Sequence, residues 1–193
     1  MPKNTESQTI DHQAKNFLTT SEMKKFLAAA RKGRHAVRDY CLMLMAYRHG
    51  LRVSELIDIR LNDLDLETGR LFVRRLKGSL STQQPIEGDE LRALRAWLRE
   101  RETYPNASSN YLFLSERGML TRQAINYLVA QIGLKAHLDF KVTPHSLRHS
   151  TGYFLANKGH DTRLIQAYLG HKNITHTVRY TRTAAARFEG LWR

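Results

Sequence analysis

The feature that most restricts this chain is a change of hydrophobic period partway along it. Apolar residues first recur at helical spacing, then alternate between turn signals, then return to helical spacing. Thr19 and Glu22 have the Thr-x-x-Glu spacing of a capping box. They open an expected helix that carries Phe26 and Leu27 and ends near Gly33. A second, more buried helix is expected over 35–49, stopped by Gly50, and a short third over 54–60. Leu64, Leu66 and Leu71-Phe72-Val73 then flank Glu67-Thr68-Gly69, which reads as a turn. Lys77-Gly78-Ser79 makes a second turn, and 82–86 a third strand whose Pro85 suggests an edge. Helical spacing returns over 89–102, where Leu91, Leu94, Trp97 and Leu98 share one side. Residues 105–110 read as a loop, and 111–114 as a short apolar segment of unassigned type. Thr121 caps a helix to about 132, Thr143-Pro144 opens one to 157, Asp161 caps one to 170, and a last helix spans 174–182. The expected fold class is mainly α with a small three-stranded antiparallel β-sheet.

At 193 residues the chain can bury one substantial core. Its 31 Lys plus Arg against 18 Asp plus Glu give a formal charge of +13, which favours polyanionic partners. Nucleic acid comes first, an anionic membrane surface second and acidic proteins third. No apolar stretch approaches the roughly 18 residues of a membrane span. Cys41 is the single cysteine and sits in an apolar run, so it is expected to be a buried thiol and no intrachain disulfide can form. A reducing, cytosol-like compartment fits that count.

The chemistry concentrates in a few polar positions. Offsets of three and four residues place His145, Arg148 and His149 near one side of a helix, in its first turns. Unpaired backbone N–H groups and the helix dipole favour an anion there. His171 follows Leu169-Gly170, where glycine permits close approach to a ligand. Tyr180 lies between Arg179 and Thr181-Arg182, a basic and polar stretch in which burial does not readily account for an aromatic ring. Tyr153 and Tyr168 are better placed for packing. Arg52 is expected at a helix start and Lys77 at a tight turn, while Glu55 could orient a basic group or form an ordinary surface ion pair. Zinc on His145, His149 and His171 is a weaker reading, because no acidic or cysteine ligand accompanies them.

Taken in order, Gly50-Leu51-Arg52-Val53-Ser54-Glu55-Leu56, Lys77, His145-Ser146-Leu147-Arg148-His149, Leu169-Gly170-His171 and Tyr180 resemble the catalytic domain of tyrosine recombinases, the phage-integrase family. The compact length looks most like the fimbrial phase-variation recombinases of enteric bacteria. The resemblance implies a catalytic set of Arg52, Lys77, His145, Arg148, His171 and Tyr180. The catalytic domain is expected over 18–185, preceded by an arm over 1–17 that has no apolar segment and reads as flexible, and followed by a docking segment over 186–193 whose Phe188, Leu191 and Trp192 would pack on their own domain or on a neighbour.

The activity so implied is site-specific recombination through a 3′-phosphotyrosyl intermediate, inverting a promoter-bearing segment that controls fimbrial expression. Arg52, Arg148 and His171 would clamp the non-bridging oxygens, His145 would take the Tyr180 proton, and Lys77 would protonate the leaving 5′ oxygen. No cofactor or metal is called for, because the arginines supply the positive charge and the phosphotyrosine conserves the ester bond. Implied partners are double-stranded DNA with inverted-repeat sites, a homo-tetramer assembled on two such sites, and DNA-bending accessory proteins. A bacterial, cytoplasmic, nucleoid-associated setting follows, with no membrane. Two other readings use the same residues: a type IB topoisomerase-like nicking and resealing enzyme, and a non-catalytic DNA-binding transcriptional or architectural regulator.

Overall fold

The computed structural model describes residues 15–75, 79–182, 184 and 189. Eight helices are described: α1 Thr20–Ala30, α2 Ala36–Arg48, α3 Val53–Ile57, α4 Gly88–Arg101, α5 Arg122–Lys135, α6 Pro144–Asn157, α7 Thr162–Leu169 and α8 Thr175–Arg182. Strands β1 Leu64–Asp65, β2 Arg70–Val73 and β3 Thr82–Pro85 form an antiparallel sheet in the order β1-β2-β3. Pro85 therefore lies on an edge strand, where a missing N–H donor is tolerated. The mainly helical fold with its small inserted sheet is the expected one. Two details differ. Strands β4 Leu114–Ser115 and β5 Gly118–Met119 form a second, two-stranded sheet that begins at the last residue of the unassigned apolar segment. The third helix is shorter than expected, because Asp58 ends it and Arg60 pairs with Tyr111 in an isolated bridge.

Local chemistry sets the helix starts. The Thr19 side chain accepts the Glu22 amide while Glu22 Oε2 accepts the Thr19 amide, the reciprocal box its spacing anticipates. The Thr121, Thr143 and Asp161 side chains likewise accept backbone amides at the starts of α5, α6 and α7, and Thr143 does so within a reciprocal box with Ser146.

The hydrophobic residues form two clusters. The larger is centred on α2, in which Cys41 to Ala46 are buried without a break. A helix apolar all round must be surrounded, and α1, α4 and α6 pack on it. Trp97, Leu94 and Phe26 fill the same core. The smaller cluster joins the second half of α6 to α7 and α8 through Ala156, Ile165, Leu169, Tyr180 and Ala184. Helix α6 spans both: Leu147 belongs to the first cluster and Ala156 to the second. Arg148 and His149 lie at the seam between them.

Candidate active site

The seam is organised by the C-terminal end of α7. A helix end leaves carbonyls without intrahelical partners and carries partial negative charge. Here three successive carbonyls are taken up by side chains from the larger body. Tyr168 O accepts from Arg75 Nη2 and from Gln84 Nε2, the latter at 2.9 Å. Leu169 O accepts from Arg148 Nη2 at 2.7 Å. Gly170 O accepts from Arg52 Nη2 at 3.3 Å and Ser79 Oγ at 3.0 Å. Gly170 itself turns the chain with φ +66°, and a Cβ there would lie 2.9 Å from Arg75, so the approach requires glycine.

One carboxylate ties these cations together. Glu55 is buried and accepts from Arg52 Nη1 and Arg75 Nη1, each at 2.7 Å. It also receives the Arg52 amide at the start of α3, and Arg148 Nη1 is 4.0 Å away. Glu55 thus orients basic groups, and the ordinary surface pair is ruled out by its burial. Three guanidinium groups share one carboxylate, so the cradle keeps a net positive charge. Burial, followed by Arg52, lowers the proton affinity of Arg148 to about 9, which still leaves it charged at neutral pH. Arg148 spends one donor on Gly50 O and one on Leu169 O. A guanidinium has five N–H donors, so capacity for an anion remains.

This cradle opens onto a cleft of about 790 Å³. Arg52, Arg148 and His145 line it together with Arg122, Tyr127 and Lys141. Tyr127 is 68% exposed, an aromatic face offered to solvent beside two cations.

The sequence-predicted residues fall as follows. Arg52, His145, Arg148, His171 and Tyr180 converge at the seam. Lys77 lies outside the described residues, as do Phe188, Leu191 and Trp192 of the docking segment and residues 1–14 of the arm. Arg75 and Ser79, on either side of Lys77, both bond to the end of α7. His171 Nδ1 is 2.8 Å from the buried Thr177 hydroxyl, and its ring stacks at 6.2 Å and 23° to that of Tyr180. Burial, then Arg148 and Arg52, lower the His171 proton affinity to about 3, so the ring is neutral. His145 is exposed at the cleft, and its affinity is also lowered, first by partial burial and then by Arg148.

Tyr180 departs from expectation. Its stretch reads as polar, yet the ring is fully buried. Thr177, Tyr180 and Thr181 occupy one face of α8 at helical spacing, and that face packs on α6 and α7. Gly152 makes the room: a Cβ there would lie 2.6 Å from the tyrosine ring. The hydroxyl is 2.7 Å from His149 Nδ1 and 3.0 Å from Arg179 Nη2. Tyr180 is not among the residues that line the cleft.

Sequence reasoning missed Arg75 and undervalued His149. Arg75 had a legible signal, since Leu71, Val73 and Arg75 are buried while Phe72 and Arg74 are exposed, the period of a strand carried past its end. His149 had none beyond its spacing, because its partner lies 31 residues away.

A model described as "Phage integrase family" matches residues 16–187. The chain is 47% identical over 183 residues to "Type 1 fimbriae regulatory protein FimB" of Escherichia coli, covering 94% of this chain and 92% of that one. It is 47% identical over 180 residues to "Type 1 fimbriae regulatory protein FimE" of the same species, covering 92% and 91%. Among solved structures, a XerH site-specific recombinase bound to a palindromic difH substrate in a post-cleavage complex superposes with a TM-score of 0.79 at 27% identity. That match covers 94% of this chain and 54% of the XerH chain, so this chain spans about half its length. With the family match running through every described element of the site, the chain belongs to the phage integrase family of tyrosine recombinases.

Proposed function

We propose that this protein inverts a DNA segment bearing a promoter for fimbrial genes, cutting each strand through a 3′-phosphotyrosyl bond at Tyr180. One observation carries the reading of the site: Arg52 and Arg148, drawn together by Glu55 and the end of α7, form a positive cradle beside Tyr180. The likeness to FimB and FimE over nearly their whole length supports the fimbrial role.

A phosphodiester in the cradle gains negative charge on its non-bridging oxygens as the phenol attacks. Arg52, Arg148 and His171 donate to those oxygens. Each such donor is worth about 3–4 kcal/mol of barrier, roughly a hundred- to thousandfold in rate. Lys77 protonates the departing 5′ oxygen. The reverse step uses a 5′ hydroxyl from the partner strand and needs no ATP, because the phosphotyrosine conserves the ester. Arg122, Lys141 and Tyr127, which also line the cleft, suit the flanking backbone and a base face. Four copies on two inverted-repeat sites supply the four cuts of a full exchange, with DNA-bending proteins bringing the sites together.

The test is a nicked duplex that loses its 5′ fragment after cleavage and so traps the covalent state. Wild type should give a denaturation-resistant protein–DNA adduct and Tyr180→Phe none. An equal adduct with the variant would sink the assignment. Robust supercoil relaxation without strand exchange between paired sites would instead favour a topoisomerase.

A further inference from the structure

We propose that His149, rather than His145, accepts the phenolic proton of Tyr180. This inference rests on Tyr180 being the nucleophile. The geometry comes first. His149 Nδ1 lies 2.7 Å from the Tyr180 hydroxyl, and both side chains are buried, at 3% and 0% exposure. Among the described residues, the imidazole on the hydroxyl is His149. His145 is exposed and meets the His149 ring edge to face, with centroids 4.2 Å apart.

The direction of the hydrogen bond follows from charge together with the Arg179 contact. Burial first, then His145, Arg179, Arg148 and His171, lower the His149 proton affinity to about 3. Burial raises that of Tyr180. A neutral imidazole therefore faces a protonated phenol; Arg179 Nη2 donates to the phenolic oxygen at 3.0 Å, which leaves its O–H to donate to Nδ1 with the ring proton on Nε2. Arg179 Nη2 reaches Nδ1 at 2.7 Å and Nε2 at 3.1 Å. A group that reaches both ring nitrogens at similar range is in line with neither lone pair, so the Nδ1 lone pair is left to the hydroxyl.

A resting affinity near 3 would make a poor base, and this is where substrate enters. His149 is kept neutral partly by the cations around it. A phosphate seated on Arg52 and Arg148 offsets that positive field and raises the affinity of Nδ1. The base thus gains strength when a phenolate is needed and stays silent without DNA. The step balances: the Tyr180 Oη–P bond forms, the P–O5′ bond breaks, and the phenolic proton passes to Nδ1. The 5′ oxygen takes its proton from the general acid, and His149 returns its own when the strand is resealed.

The experiment measures single-turnover cleavage of the nicked duplex against pH for wild type, Tyr180→Phe, His149→Asn and His145→Asn. Asparagine at 149 places an oxygen near the position of Nδ1, so it can hold the hydroxyl but cannot take its proton. Circular dichroism and a mobility shift on the same DNA check folding and binding. The groups facing His149 are His145 and Arg148 on α6, Arg179 and Tyr180 on α8, and His171 after α7. General-base loss should slow His149→Asn by about a hundredfold or more at neutral pH. Its rate should then climb about tenfold per unit between about pH 7 and 9, as the phenol ionises unaided. His145→Asn should keep the wild-type slope. Cleavage by His149→Asn within about threefold of wild type, or faster, would overturn the proposal, as would a uniform loss with no added slope. An adduct with Tyr180→Phe would instead reject the nucleophile itself, so the two failures are distinct.

Discussion

The two hydrophobic clusters of this domain are held by different means. The larger is a packed core around α2, where Cys41 to Ala46 touch neighbours on every side. The smaller, which carries Tyr180, has few apolar residues and is fastened to the larger one largely by polar bonds to the end of α7. Apolar burial is non-directional and tolerates repacking. Charge-assisted hydrogen bonds are directional and fix geometry. On the proposed function, Arg52 and Arg148 therefore serve as structural fasteners and as the phosphate cradle at once. An anion that competes for Arg52 or Arg148 acts directly on the joint between Tyr180's cluster and the larger body.

Breaking that joint should have the largest effect. Glu55→Gln keeps the shape but leaves buried Arg75 without its counter-charge, and breaking a buried pair commonly costs about 3–5 kcal/mol. The urea midpoint should fall accordingly. Hydrogen exchange should rise first in α7 and α8 and last in α2. Adding Arg75→Met should restore part of the loss, since an apolar replacement of a buried pair is often neutral. Equal exchange in α2 and α8 would mean that the two clusters open as one unit.

Acid should separate the clusters next. His149 and His171 both sit at the joint with affinities lowered to about 3, chiefly by burial. Unfolded histidine titrates near 6.5. With the folded value depressed, stability is complete above about pH 6.5 and is lost as pH falls towards 3. The slope is about 1.4 kcal/mol per unit for each histidine, or about 2 kcal/mol each by pH 5. Denaturant titrations from pH 7 to 5 measure it, and His149→Asn should remove roughly half.

Gly152→Ala tests the packing side of the smaller cluster. Its new methyl would collide with the Tyr180 ring, which must shift because the helix backbone cannot. Overpacking of this kind costs about 1–3 kcal/mol. The variant should also lose the His149–Tyr180 bond, seen as altered tyrosine fluorescence or as faster exchange in α8.

The larger cluster was far more legible in the sequence than the joint. Helix caps at Thr19, Thr121, Thr143 and Asp161 declare themselves within four residues, and each appears where expected. The strand alternation and the edge proline were equally local. Glu55, Arg75 and His149 depend on partners 20 to 31 residues away or further, so spacing alone could not assign their tasks. Tyr180 shows the limit most plainly. Its chain neighbours Arg179 and Arg182 are exposed, and only the helical face it shares with Thr177 and Thr181 reveals a buried ring. Order and spacing along the chain picked out residues that meet at the seam; which imidazole meets the phenol was decided by how α6 and α8 pack.

The smallest effect tests whether the smaller cluster positions its polar side chains one bond at a time. His171 is oriented by the buried Thr177 hydroxyl at 2.8 Å, while its carbonyl accepts from Gln166 Nε2 at 3.1 Å. Thr177→Val keeps the volume and removes the hydroxyl partner. A single neutral hydrogen bond contributes about 0.5–1.5 kcal/mol, so folding should weaken by no more than that. Cleavage should fall by more than stability does, because a ring free to turn donates to the phosphate only part of the time. A rate loss of about tenfold, with binding to uncleaved DNA unchanged, would show that His171 is aimed by α8. An unchanged rate would show that the stacking between His171 and Tyr180 suffices to aim it, and that the polar bonds of the smaller cluster matter at its joint with the larger body rather than within it.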